Sequence, residues 1–82
     1  MYYVYILECA DGTYYIGSTN DLTRRLHQHN TAKAGARYTK IRRPVVMRYS
    51  ESVGTIGQAR SREAVLKRLS RQQKTDLIAR TK

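Results

Sequence analysis

The 82-residue chain has no tryptophan, no phenylalanine, one proline, one cysteine and only six acidic residues. Without the two bulkiest apolar side chains, a 40% hydrophobic composition gives a modest core, so one small, marginally stable domain over residues 1–82 is expected. The lone Cys9 cannot close an internal disulfide, which argues for a reducing, cytoplasmic compartment. With no histidine beside it in sequence, Cys9 reads as a small buried hydrophobe rather than a nucleophile. Apolar runs such as Val4 to Leu7 are far too short to span a bilayer or to form a signal-peptide core. No repeat or low-complexity segment interrupts the chain, and Pro44 falls where a strand would begin.

The shortage of acid leaves sixteen Lys and Arg unbalanced, for a net charge of +10. Residues 1–41 hold five basic and three acidic groups (+2), and residues 42–82 hold eleven and three (+8). A polyanion is the expected partner, and nucleic acid is the commonest one. Basic helices that are merely solvated are the bland alternative. An anionic membrane surface suits the pattern less, because the basic helices lack a broad aromatic or leucine face.

What the chain does have is tyrosine, with five of seven in its first fifteen residues. Two runs rich in β-branched and aromatic residues, Tyr2 to Cys9 and Tyr14 to Ser18, flank Ala10-Asp11-Gly12 and read as a β-hairpin. A two-residue Asp-Gly loop would pair Cys9 with Tyr14 and separate Tyr5 from Tyr15. A three-residue loop with Gly12 in the left-handed conformation pairs Cys9 with Thr13, Leu7 with Tyr15 and Tyr5 with Gly17. The second register is preferred. It puts Tyr3, Tyr5, Leu7, Tyr15 and Gly17 on one face and Val4, Ile6, Tyr14 and Ile16 on the other. It also gives the bare Gly17 a reason, the close approach of a ligand or another backbone.

Further on, Asn20 or Thr19 is placed to cap a helix from about Asp21 to Asn30, with Leu22 and Leu26 binding it to the sheet. Residues 31–43, with five basic groups and no period, read as a loop. Val45 to Ser50 reads as a third strand, residues 56–69 as a second helix, and Ser70 with Gln73 as the capping box of a third. The expected fold is α+β, a small three-stranded antiparallel sheet flanked by about three helices.

Among groups able to carry chemistry, Glu63 falls in the inward arc of helix 56–69 with Ile56, Ala59, Leu66 and Leu69. An inward carboxylate needs a partner, either a salt bridge, for which Arg62 in the same arc is a candidate, or a cation. Mg²⁺ is held by as few as one or two carboxylates plus water and phosphate oxygens. Arg25 and His29, four apart, share one helix stripe. His27 and His29 point apart and form no metal motif. Tyrosines on a strand are ordinarily packing with a polar tip, and a phenol titrating near 10 serves as a base at neutral pH only if nearby cations lower its pKa.

The fragments Tyr3-Val4-Tyr5 and Tyr15-Ile16-Gly17 across a hairpin, followed by Asp21-Leu22-Thr23-Arg24-Arg25-Leu26, resemble the signature of the GIY-YIG nuclease superfamily. More narrowly, the chain is similar to its small stand-alone bacterial single-domain branch. The likeness continues through HN at 29–30, GARYT at 35–39, RRPV at 42–45 and LSRQQKTDLI at 69–78 and spans nearly the whole chain. Two positions depart from the pattern: Tyr3 stands where the first motif has glycine, and Ser18 where a lysine often follows the second.

The resemblance implies a divalent-metal-dependent endonuclease acting on DNA and leaving a 5′-phosphate and a 3′-hydroxyl. It implies Glu63 as ligand of Mg²⁺ or Mn²⁺, Arg25 as the catalytic arginine, Tyr5 or Tyr15 as the group that orients or deprotonates water, and His29 as a further catalytic residue. The base role falls to Tyr5. Gly17 and Ser18 would line the phosphate, and Arg24, Arg37, Lys40, Arg42, Arg43, Lys67, Arg68, Arg71 and Lys74 would contact the nucleic-acid backbone. DNA is expected over RNA, with loose or structural specificity, a role in DNA repair or processing, no membrane partner, and a monomer or weak homodimer. The competing expectation is a non-catalytic module binding DNA or structured RNA.

Overall fold

The two tyrosine-rich runs pair as antiparallel strands β1 (Tyr2–Glu8) and β2 (Tyr14–Thr19). The computed structural model describes residues 1–31 and 37–80, the side chains of residues 37 and 38 excepted. The turn takes the three-residue form: Cys9 N–H donates to the Thr13 carbonyl at 2.8 Å, and Gly12 adopts φ 83°. A left-handed residue at that point is cheap only for glycine. Asp11 completes the turn by accepting from the Thr13 backbone N–H at 3.1 Å and hydroxyl at 2.6 Å. The register follows, with Tyr5 opposite Gly17 and Leu7 opposite Tyr15.

A third strand, β3 (Val46–Val53), pairs antiparallel with the other side of β1, giving the order β2-β1-β3. It runs three residues beyond the expected Ser50. Ile6 faces Tyr49 while Leu7 faces Met47, so Arg48 is an extra residue in a bulge. The bulge lets Tyr49 join the core on one face of the sheet and Met47 the core on the other.

Each face is covered by helices. Over the Val4, Ile6 and Ile16 face lie α3 (Ile56–Arg68) and α4 (Arg71–Arg80), which contribute Ala59, Leu66 and Ile78. Leu66 is closed to solvent, so its replacement by alanine would cost about 2–5 kcal/mol. Thr55 and Gln58 form a reciprocal capping box at the start of α3, and Ser70 and Gln73 bond each other's backbone N–H at the start of α4. Arg71 ties α4 to the hairpin: it donates to the Gly12 carbonyl at 2.5 Å and lies 4.7 Å from the Tyr14 ring centroid.

The opposite face holds Tyr5, Leu7, Cys9 and Val45, packed under Leu22 and Leu26 of α1 (Leu22–Thr31). The cap of α1 is Asp21, not Asn20 or Thr19: its carboxylate accepts from the Arg24 N–H at 3.0 Å. Thr19 instead accepts from the Asp21 N–H at 3.1 Å, one step earlier in the turn. Within the stretch read as a loop, residues 37–40 form one helical turn, α2 (Arg37–Lys40). Among the described residues, no helix is long and apolar enough to cross a membrane. Three antiparallel strands between helical layers make this an α+β fold.

Candidate active site

Tyr5 and Tyr15 share the α1 face of the sheet because the hairpin register sets them diagonally, and α1 lowers His29 between them. Both tyrosine rings meet the imidazole edge-on, with centroids at 5.8 Å for Tyr5 and 5.2 Å for Tyr15. The Tyr5 hydroxyl lies 2.9 Å from His29 Nε2, and the Thr39 hydroxyl lies 2.7 Å from His29 Nδ1. Tyr5, His29 and Thr39 are all closed to solvent.

Burial sets the proton affinities of this cluster. Desolvation, reinforced by the nearby positive charges of Arg25 and Arg43, lowers His29 to about 4, so the imidazole is neutral at physiological pH. Burial also raises the Tyr5 phenol above its usual value. The Arg25 guanidinium opposes that shift, while Tyr15 and the Glu63 charge add to it. For the protein alone the condition for a base at neutral pH, cations that lower the phenol, is therefore not met: desolvation outweighs the arginine.

Gly17 serves the phenol. A Cβ built there would lie 2.5 Å from the Tyr5 hydroxyl and 2.7 Å from its ring carbon, so the bare glycine makes room for Tyr5 itself. Ser18 pairs with Val4, and alternation sends its side chain to the opposite face of the sheet.

Arg25 is half-buried and bonds Gln28 Oε1 at 3.0 Å while its charge acts on both Tyr5 and His29. Glu63 arrives from the other helical layer, close enough for its charge to be felt at Tyr5. Its salt-bridge partner is Lys67, four residues on, at 2.8 Å, and Lys67 also senses Tyr15. Arg62 is occupied elsewhere, donating to Glu51 at 2.6 Å, and Glu51 in turn accepts from the Tyr49 hydroxyl. Tyr5, Tyr15, Arg25, His29 and Glu63 thus share one electrostatic neighbourhood.

No group of three His, Cys, Asp or Glu stands together among the described residues. Glu63 alone supplies a hard oxygen ligand, balanced by an ammonium. That donor set fits an ion that keeps its own waters and is completed by substrate oxygens, and does not fit a tightly resident one.

The basic residues divide by the work they already do. Arg42 pairs with Asp11 at 3.0 Å, Arg43 donates to the His29 and Gln28 carbonyls at the end of α1 at 2.6 and 3.3 Å, and Arg71 holds the hairpin. Arg24, Lys40 and Arg68 are exposed and Lys74 is half-buried. The Arg37 side chain lies outside the described residues. Thr39 was missed because a single threonine in a basic loop carries no chemical signal of its own.

A cavity of about 890 Å³ opens elsewhere, between the end of β3 and α3, beside Val53, Gln58, Arg62 and Val65. It contains none of Tyr5, Tyr15, Arg25, His29 and Glu63. An open surface is what a bulky phosphodiester backbone needs, so the convergence of side chains is the better guide here than concavity.

Comparison with known proteins decides the family. The profile of the GIY-YIG catalytic domain matches residues 1–76. This chain belongs to the GIY-YIG family. Among GIY-YIG relatives, a UPF0213 protein of Halobacterium salinarum is 49% identical over 95% of this chain and 100% of its own length. A UPF0213 protein of Streptococcus pneumoniae is 48% identical over 94% of this chain and 77% of its own. The solution structure of a UPF0213 protein from Bacillus halodurans, 39% identical, superposes with a TM-score of 0.60 over 96% of this chain and 84% of that one. A solution structure from E. faecalis, 40% identical, gives 0.65 over 98% and 84%.

Proposed function

We propose that this GIY-YIG domain is a divalent-metal-dependent endonuclease that hydrolyses phosphodiester bonds in DNA, selecting structure rather than sequence, in DNA repair or processing. The observation that supports it most is the hydrogen bond between a buried Tyr5 and a neutral His29 while Arg25 and Glu63 act on the same phenol. Arg25, a charge fixed beside Tyr5, grips the phosphate and balances the charge that builds on its equatorial oxygens. Tyr15 orients the attacking water. Tyr5 takes a proton from that water while passing its own to His29 Nε2.

In the free protein that transfer runs uphill, because burial first, and then the charges of Arg25 and Arg43, disfavour an imidazolium at His29. A phosphate seated on Arg25 offsets one of those charges, so the relay becomes available when substrate is present. Mg²⁺ or Mn²⁺ held through Glu63 would supply Lewis-acid stabilisation of the leaving oxygen. Arg24, Arg37, Lys40, Arg68 and Lys74 track the nucleic-acid backbone. The lone cysteine suits a reducing, cytoplasmic setting.

Nicking of supercoiled plasmid with and without Mg²⁺ tests this reading, with Glu63→Ala and Arg25→Ala as controls. Metal-dependent nicking that both variants lose supports it; equal background in all three removes it. The Glu63–Lys67 ion pair favours a second reading, a binding module whose carboxylate is already satisfied. That reading requires salt-sensitive binding without cleavage.

A further inference from the structure

Behind His29, on the side away from Tyr5, stands Thr39 on the one-turn helix α2. Among the described residues the buried polar side chains are His29 and Thr39, and they are bonded to each other. A small domain with a limited core gains nothing from burying a polar pair for packing alone, since two apolar side chains of the same shape would serve. The pair is joined to Tyr5, so the chain runs Thr39, His29, Tyr5 from the interior towards Arg25.

The direction of its hydrogen bonds follows from what each group can do. Arg25, whose charge reaches the phenol, has donors only and offers the Tyr5 proton no acceptor. The Tyr5 proton must then find an acceptor, and the one at 2.9 Å is His29 Nε2. A neutral imidazole whose Nε2 accepts carries its proton on Nδ1, where the Thr39 oxygen receives it at 2.7 Å. We propose that Thr39 is a positioning residue: by accepting the Nδ1 proton it holds His29 in the tautomer whose bare Nε2 can receive the proton of Tyr5. In that step the Tyr5 O–H bond breaks and an Nε2–H bond forms. The phenol oxygen takes a proton from water, the hydroxide attacks phosphorus, the P–O3′ bond breaks, and the leaving oxygen takes a proton from solvent to become the 3′-hydroxyl. The imidazolium keeps Nδ1–H on Thr39 and returns its extra proton to solvent when product leaves. With the opposite tautomer Nε2 already bears a proton and the path is blocked.

This rests on the reading of Tyr5 and His29 as parts of the nuclease site, and the test separates the two. Ring-nitrogen NMR of ¹⁵N-histidine-labelled protein reads the His29 tautomer directly, in wild type, Thr39→Val and Thr39→Ser. Wild type should carry the proton on Nδ1. The near-isosteric valine strands that donor, so His29 should switch to the Nε2–H form, and kcat for plasmid nicking should fall about tenfold or more with KM unchanged. Serine should restore both. An Nε2–H tautomer in wild type overturns the proposal whether or not the valine variant folds. So does a valine variant with an unchanged tautomer or an unchanged kcat. If wild type nicks no DNA, the nuclease reading fails while the tautomer and its dependence on Thr39 still decide the positioning role.

Discussion

The phenol of Tyr5 occupies the space that a side chain on Gly17 would need: the hydroxyl and its ring carbon stand 2.5 and 2.7 Å from where a Cβ would be. Tyr5 is buried and pinned by its bond to His29, so it cannot step aside cheaply. Gly17→Ala should therefore cost about 1–3 kcal/mol in urea denaturation, the scale of overpacking. It should also displace the hydroxyl enough to cut nicking by about 100-fold. An alanine variant with wild-type stability and rate would show that the ring is not confined.

His29 gives stability a definite pH dependence. Its folded value of about 4 lies below the ordinary 6.5, so the unfolded chain binds the proton more tightly. Its contribution is complete above about pH 6.5 and drains away as pH falls towards 4, by up to about 3 kcal/mol. Thermal melts should show the midpoint falling across this window and a smaller fall in His29→Gln. Equal slopes in the two proteins would place the imidazole in water.

Much of this was legible in the sequence where local chemistry is decisive. Gly12 could accept a left-handed turn, that choice fixed the register, and the register put Tyr5 and Tyr15 on one face. Ser70 and Gln73 announced the break between α3 and α4. What stayed hidden depends on partners remote in sequence. Nothing in the local pattern distinguishes Arg43, which caps α1 from fourteen residues away, from the exposed Arg68. The phenol's upward shift depends on how deeply α1 covers it, and Thr39 matters only because α2 sets it against His29. Asp21 outcompetes Asn20 as cap because the Thr19 turn starts the helix one residue later.

That division of the arginines has a measurable consequence. Arg43→Ala removes charged donors from two helix-end carbonyls and should destabilise the fold by about 1.5–3 kcal/mol. Arg68→Ala should leave the melting temperature alone, weaken DNA binding, and reduce the slope of log K against log salt by about 1. Reversed effects would exchange their assignments.

Lys67 is the cation that a metal must displace from Glu63. The pair is an i,i+4 contact between an exposed lysine and a half-buried carboxylate, so Lys67→Met should change stability by less than about 1 kcal/mol. It should nonetheless lower the Mg²⁺ concentration that half-saturates nicking, because the ammonium no longer competes. An unmoved midpoint would mean that the carboxylate is not where the ion binds.

The most direct test is cleavage of an end-labelled branched DNA duplex in Mg²⁺, with the product ends analysed, by wild type, Tyr5→Phe, Arg25→Ala and Glu63→Gln. The account predicts 5′-phosphate and 3′-hydroxyl products from wild type and a loss of about 100-fold or more in each variant, with duplex binding retained in Tyr5→Phe. Cleavage that proceeds at one rate in all four proteins, or in none of them, would contradict it.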